Sequence, residues 1–194
     1  MSNTGPQYYT EQLFDKTTFP GKAHQETIFE NCTFKGCDLS NINFSGSDFI
    51  DTVFDTCNFS GAKFSNSGLK NVSFKGCKLS GVNLGNCNDF LFSTNFEGCI
   101  LDYASLHKKK NKKCSFVNCS MKSTDLTEAD LTEATFQNCD LQNAEFGRTI
   151  LVSANLITSF NFIIDPEQNQ MRKAKFSQEG LIGLLGKYNI VVEN

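Results

Sequence analysis

Residues 31–54 read NCTFKGCDLSNINFSGSDFIDTVF, and a large apolar side chain returns at every fifth place: Phe34, Leu39, Phe44, Phe49 and Phe54. An amphipathic helix would place its apolar residues at i, i+3, i+4 and i+7, and a half-buried strand would alternate with a period of two. Neither element explains a period of five. Working outward, the phase holds without a break from Phe29 to Leu84, and Tyr9, Phe14 and Phe19 share it, with His24 departing from it. A second run extends from Phe96 through Leu101, Leu106, Phe116, Met121, Leu126, Leu131, Phe136, Leu141, Phe146 and Leu151 to Leu156. Most of the chain is therefore one repeat, and the repeat sets the fold.

Taking the recurrent residue as i, position i−2 is small or carries a thiol (Cys37, Ile42, Ser47, Ala62, Ala129, Ala144), and i−1 is often Asp or Asn. In an extended segment i−2 and i project to one side and i−1 to the other, so i−2 and i face inward. The remaining two residues are turn formers, as in Lys35-Gly36, Ser60-Gly61 and Ser65-Asn66. Gly or Asn in second place suits the positive φ of a type II turn, whereas pairs such as Thr127-Glu128 suit type I. A three-residue side and a corner, used four times, close a square coil of 20 residues, and such coils stack at roughly 4.8 Å. The predicted architecture is an all-β solenoid.

The chain has 194 residues, 19 Phe, no Trp and a formal net charge of −3, which gives no charge-based argument for nucleic-acid binding. With no signal-like start and no apolar run long enough to cross a membrane, the expected location is the cytoplasm. All nine Cys fall at i−2 in the local phase: Cys32, Cys37, Cys57, Cys77, Cys87, Cys99, Cys114, Cys119 and Cys139. They follow the repeat rather than a zinc-ligand spacing, and a stacked ladder of parallel side chains disfavours disulfide geometry. They are expected to be reduced core thiols. His24 and His107 stand in no recognisable catalytic context, so no enzyme activity, metal or cofactor is expected.

Units such as Cys37-Asp38-Leu39-Ser40-Asn41, Thr124-Asp125-Leu126-Thr127-Glu128 and Ala129-Asp130-Leu131-Thr132-Glu133 resemble the A(D/N)LXX signature of pentapeptide repeat proteins. The resemblance covers roughly residues 9 to 176 and implies a right-handed quadrilateral β-helix.

Between Leu84 and Phe96 the phase slips by two residues, within Asn88 to Asn95. A step of 22 there carries Cys77 onto Cys99 and Phe74 onto Phe96, so the helix is expected to bulge rather than divide. The same arithmetic puts Asp89 and Asn111 at inward positions of adjacent coils, the latter inside the basic stretch HKKKNKK, residues 107–113. That stretch reads either as a solvated bulge whose lysines meet Glu128, Asp130 and Glu133 one coil on, or as a partner contact through Lys109 and Lys110. From Asp125 to Glu145 the chain carries Asp125, Glu128, Asp130, Glu133, Asp140 and Glu145 with no Lys or Arg. A negative rod could stand in for duplex DNA on a basic protein surface; the plainer reading is that these acids solubilise the repeat.

After Leu156 the pattern fades, and Ala174-Lys175-Phe176 reads as a closing unit. Ser177 reads as an N-cap, followed by a helical stripe of Leu181, Leu184, Leu185 and Tyr188, with Ile190, Val191 and Val192 as a strand-like tail. The expected division is a tail at 1–8, the β-helix at 9–164 and a closing unit with helix at 165–194. The helix could cap the last coil or pair two copies. The segment DPEQNQMRKAKF, a helix and GKYNIVV resemble the end of the Qnr-type quinolone-resistance pentapeptide proteins. That resemblance implies a homodimer joined through this region, DNA mimicry, and binding to DNA gyrase or topoisomerase IV, with no membrane and no direct nucleic-acid contact. The alternative is a rigid scaffold for some other protein.

Overall fold

A computed structural model describes residues 6–18 and 25–191. Phe19, His24 and Val192 lie outside them. Eleven short strands run β1 (Gln7–Thr10), β2 (Leu13–Phe14), β3 (Thr27–Glu30), β4 (Thr33–Lys35), β5 (Asp48–Ile50), β6 (Val53–Asp55), β7 (Gly68–Lys70), β8 (Val72–Lys75), β9 (Thr94–Glu97), β10 (Ser115–Val117) and β11 (Thr135–Gln137). They form two parallel sheets, β1-β3-β5-β7 and β2-β4-β6-β8-β9-β10-β11. The other two sides are held by single parallel bridges, such as Asp38 with Asn58 and Ser105 with Asp125. Register advances by 20 residues, as in Phe34 with Phe54, except across the slip, where Phe74 pairs with Phe96. This is the right-handed quadrilateral β-helix, with parallel coils satisfying one another's backbone. The first strand begins at Gln7, and bridging continues to Asn155 with Lys175, in the closing unit Ala174-Lys175-Phe176.

The core is a set of stacked rings. Phe14, Phe34, Phe54, Phe74, Phe96, Phe116 and Phe136 follow one another at centroid distances of 4.7, 4.8, 5.2, 5.1, 5.2 and 4.9 Å. The coil spacing imposes that separation, and it falls within the range favoured by aromatic pairs. Neighbouring columns meet this stack edge-on, Phe49 and Phe59 lying 5.4 and 5.0 Å from Phe54. The second corner residue has positive φ at most corners, Asn86 and Thr158 being exceptions. Glu128 at φ 58° is therefore not in a type I turn, correcting the expectation for Thr127-Glu128. The square coil imposes this conformation even where the residue is neither Gly nor Asn.

All nine thiols are buried and unpaired. Their role goes beyond filling space: the Sγ atoms of Cys57, Cys77, Cys99 and Cys139 donate to the carbonyls of Phe34, Phe54, Phe74 and Phe116 one coil back, at 3.3–3.4 Å. Thr52 does the same with its hydroxyl to Phe29. Burial pushes the Cys37, Cys87 and Cys114 thiols up to about 12. Because the folded state holds these protons more tightly, their contribution to stability is whole below about pH 8.5, the ordinary thiol range. It is lost as pH rises toward about 12. Native protein is expected to show few reactive thiols and, from the thiols, a urea midpoint that falls on the alkaline side. Rapid labelling of most thiols in the native state would contradict the buried ladder.

Candidate protein-interaction surfaces

The acidic stretch lies outward or at corners, as its phase requires, but most of its charge is already matched. Lys108 and Arg148 approach Glu128 at 3.8 and 2.7 Å, Lys112 approaches Asp130 at 3.2 Å, Lys113 approaches Glu133 at 3.8 Å and Lys122 approaches Asp140 at 3.3 Å. Asp125 accepts from the Ser105 hydroxyl and from Thr127, with His107 at 4.0 Å. Glu145 is exposed, and among the described residues it has no ion-pair partner. Burial opposes the Asp130 charge, but the Thr132 hydroxyl and N–H and the Lys112 ammonium outweigh it and hold the carboxyl below its usual range. The hydrogen bond from Arg148 does the same for Glu128. Stability from these depressed carboxylates is present above their unfolded range and is lost as pH falls through the folded values. The pairing of Lys108 and Lys113 with acids one coil on follows from the 20-residue step, while Lys112 reaches back to Asp130, 18 residues on.

The slip is closed by two inward polar residues. Asn111 is buried at an inward i position; its amide accepts from the Thr94 N–H and donates to the Thr94 carbonyl and hydroxyl at 2.9–3.0 Å. Asp89 does not occupy its expected inward place. It is turned out and Phe92 is buried instead, because the two extra residues let an apolar ring replace a carboxylate that would lose its hydration. Lys109, expected at the surface, is only 2% exposed. Its ammonium donates to the Cys87 carbonyl at 2.6 Å and to Asp89 at 2.5 Å, so it serves the bulge rather than a partner. The signal was available, since 109 is two before 111 and hence an inward i−2 position. Lys110 points outward.

At the C-terminal end the expected α-helix is instead a pair of 3₁₀ segments, η1 (Glu179–Leu184) and η2 (Gly186–Tyr188). The Ser177 hydroxyl still accepts from the Gly180 N–H at 3.0 Å, although the residue capping η1 is Gln178. Gly180, Gly183 and Gly186 recur at intervals of three, which a 3₁₀ helix places on one face. That face lies on Phe162 and Ile163, and a Cβ at Gly183 would stand 2.3 Å from the Phe162 carbonyl oxygen. Glycines thus do the capping. Leu184 packs against the core, while Leu181, Leu185 and Tyr188 are exposed, together with Ile182, Ile190 and Val191. Ile190 and Val191 form no strand. An apolar hollow of about 390 Å³ opens among Pro166, Leu181, Leu184, Leu185 and Tyr188, with Glu167 and Lys187 beside it. Gly183→Ala is expected to cost about 1–3 kcal/mol, because the obstructing atom is backbone. Thermal unfolding would show it, with the exposed Ile182→Ala nearly neutral as the control.

Against known sequences, the family model described as "Pentapeptide repeat region" matches residues 13–88 and 90–159, the break falling within the slip. The chain belongs to the pentapeptide repeat family. No curated protein matches this pentapeptide repeat protein. Among solved structures it is similar to a trypsin-treated variant of QnrB1, a plasmid-mediated fluoroquinolone resistance protein. They are 18% identical over 97% of this chain and 100% of that one, with a TM-score of 0.63. It is also similar to HetL, a pentapeptide repeat protein involved in heterocyst differentiation regulation from the cyanobacterium Nostoc sp. strain PCC 7120. Identity is again 18%, over 87% of this chain and 84% of that one, with a TM-score of 0.50. At these identities the likeness is one of fold. Among the described residues no group of three His, Cys, Asp or Glu side chains converges to hold a metal, and no helix is long and apolar enough to cross a membrane.

Proposed function

We propose that this pentapeptide repeat protein is a non-enzymatic interaction rod that acts as a homodimer and binds a type II topoisomerase, DNA gyrase or topoisomerase IV. The observation that carries the interaction role is the apolar C-terminal surface left uncovered after Gly180, Gly183 and Gly186 have capped the last coil. From Leu13 to Lys175 the ladder takes eight steps of roughly 4.8 Å, so one rod is about 38 Å long. Two rods joined end to end would span about twice that, enough to lie along a dimeric enzyme. The fold likeness to QnrB1, described as a fluoroquinolone resistance protein, supports the choice of partner class.

Mimicry by charge has a weak basis here. Duplex DNA carries about one negative charge per 1.7 Å, so a rod of this length would need about twenty, against a formal net charge of −3. The support lies in shape. The pairing of Glu128, Asp130, Glu133 and Asp140 with cations favours the second reading, a scaffold for a different protein. Gyrase supercoiling with and without a quinolone, at increasing concentrations of the protein, separates the two. Inhibition of supercoiling, or rescue from the drug, is the expected result. No effect at large excess would leave the scaffold reading.

A further inference from the structure

The bulge presents two apolar side chains on a braced support. Phe90 and Leu91 are 66% and 65% exposed and form the corner of a turn in which the Phe92 N–H meets the Asp89 carbonyl at 3.4 Å. Leu91 has φ 56°; among the described residues with positive φ it is the one aliphatic residue, at a corner place where the chain elsewhere uses Asn, Gly, Ser, Thr, a charged residue or, once, Tyr103. Asn31, Asn41, Asn66 and Asn71 show what the backbone prefers there. A leucine in that conformation, with its side chain in water, serves neither the turn nor the core.

The support is held from several sides. On this face the outward N–H normally bonds one coil back, as Asn88 does to Ser67 and Asp130 to Lys109. The Cys87 carbonyl instead receives the Lys109 ammonium, which also holds Asp89 and lies 5.4 Å from the Phe92 ring. The Phe90 N–H donates to the Asn88 side chain at 2.9 Å, and Asn111 clamps Thr94 at the end of the bulge. Cations flank the tip: Lys70, paired with Asp48 at 3.1 Å, stands 5.8 Å over the Phe90 ring, and Lys110, on the next coil of the same face, is exposed and has no ion pair among the described residues.

We propose that the Asn88–Ser93 bulge is a docking knuckle, on which Phe90 and Leu91 pack against an extended segment of a partner protein whose apolar residues alternate with acidic ones that face Lys110 and the rim around Lys70. The inference rests on reading the chain as a protein-interaction rod, and not on the partner being a topoisomerase. An exposed aromatic and aliphatic pair on a rigid element is a low-entropy anchor, and the surrounding lysines add charge complementarity that a screened rim would feel in on-rate and salt dependence.

The test uses the full chain and a fluorescent acidic peptide in which Phe and Leu alternate with Asp and Glu. Phe90→Ser with Leu91→Asn is expected to weaken binding at least about tenfold, while Tm stays the same or rises, since Asn accepts positive φ better than Leu. Lys110→Glu is expected to weaken binding at low salt only, and Tyr103→Ser, an exposed ring on a different side, leaves it unchanged. Peptide binding of this pattern supports the knuckle even if gyrase is unaffected, an outcome that would count against the topoisomerase reading alone. The knuckle is overturned if the wild-type chain fails to bind at about 1 mM peptide. It is also overturned if Leu181→Glu with Leu185→Glu abolishes binding while the knuckle variant retains it. A Tm loss above about 4 °C with unchanged binding would show that Phe90 and Leu91 are structural.

Discussion

Phe54→Ala is expected to destabilise the protein by about 5 kcal/mol and Phe116→Ala by about 3–4 kcal/mol, both within the range for emptying a buried Phe site. The order follows from the ring contacts. Phe54 stacks on Phe34 and Phe74 and meets Phe49 and Phe59 edge-on, whereas among the described residues Phe116 has only the stacking partners Phe96 and Phe136. Each ring pair adds about 0.5–1.5 kcal/mol beyond burial. Collapse into the cavity is opposed by the backbone ladder, which fixes the distance between coils, so little of the cost can be recovered. Against a total stability of about 5–15 kcal/mol, the Phe54 change alone brings the fold near its limit. Urea unfolding should show a lower midpoint at constant m-value, with Phe90→Ala, an exposed ring, within about 0.5 kcal/mol of wild type. A loss below about 1 kcal/mol at both buried sites would mean that the inward face has been misassigned.

The same column shows why so much of the fold was legible. A strict five-residue period leaves no choice of face, and a 20-residue coil then fixes every neighbour, including the lysines that meet acids one coil on. Legibility fails where local geometry substitutes for the repeat. Asp89 belonged at an inward position by arithmetic, but the cost of burying a carboxylate drove the bulge to place Phe92 there instead. Lys109 was counted as a surface charge because of its chemistry, although its phase pointed inward; the freed Cys87 carbonyl gives its ammonium a partner. At the C-terminus the Leu181, Leu184, Leu185 and Tyr188 stripe fits an α-helix. Only the three-residue spacing of Gly180, Gly183 and Gly186 distinguishes a 3₁₀ segment, and it matters because those glycines lie against Phe162 and Ile163. Legibility of the interaction surfaces was lower still, since exposure depends on which side of that helix faces the rod.

Leu181→Glu with Leu185→Glu is expected to turn a dimer into a folded monomer that no longer affects gyrase. These two residues are exposed, whereas Leu184 packs against the core, so a change at Leu184 would confuse loss of the cap with loss of the interface. A dimer that persists at micromolar concentration needs about 8 kcal/mol of association free energy. Under two-fold symmetry each substitution acts twice. Four leucines at about 1.5–3 kcal/mol of burial each are lost, and four carboxylates face one another, which removes most or all of that amount. The monomer itself should keep its Tm, because Gly180, Gly183 and Gly186, not the two leucines, hold the 3₁₀ segments on Phe162 and Ile163. Sedimentation equilibrium and thermal unfolding, run on the same samples, separate the outcomes. Wild-type protein that sediments as a monomer at micromolar concentration would leave the exposed stripe as the outer surface of a cap. A variant that is monomeric but still acts on gyrase would place the topoisomerase contact on the single rod, and the length argument for two rods end to end would fall.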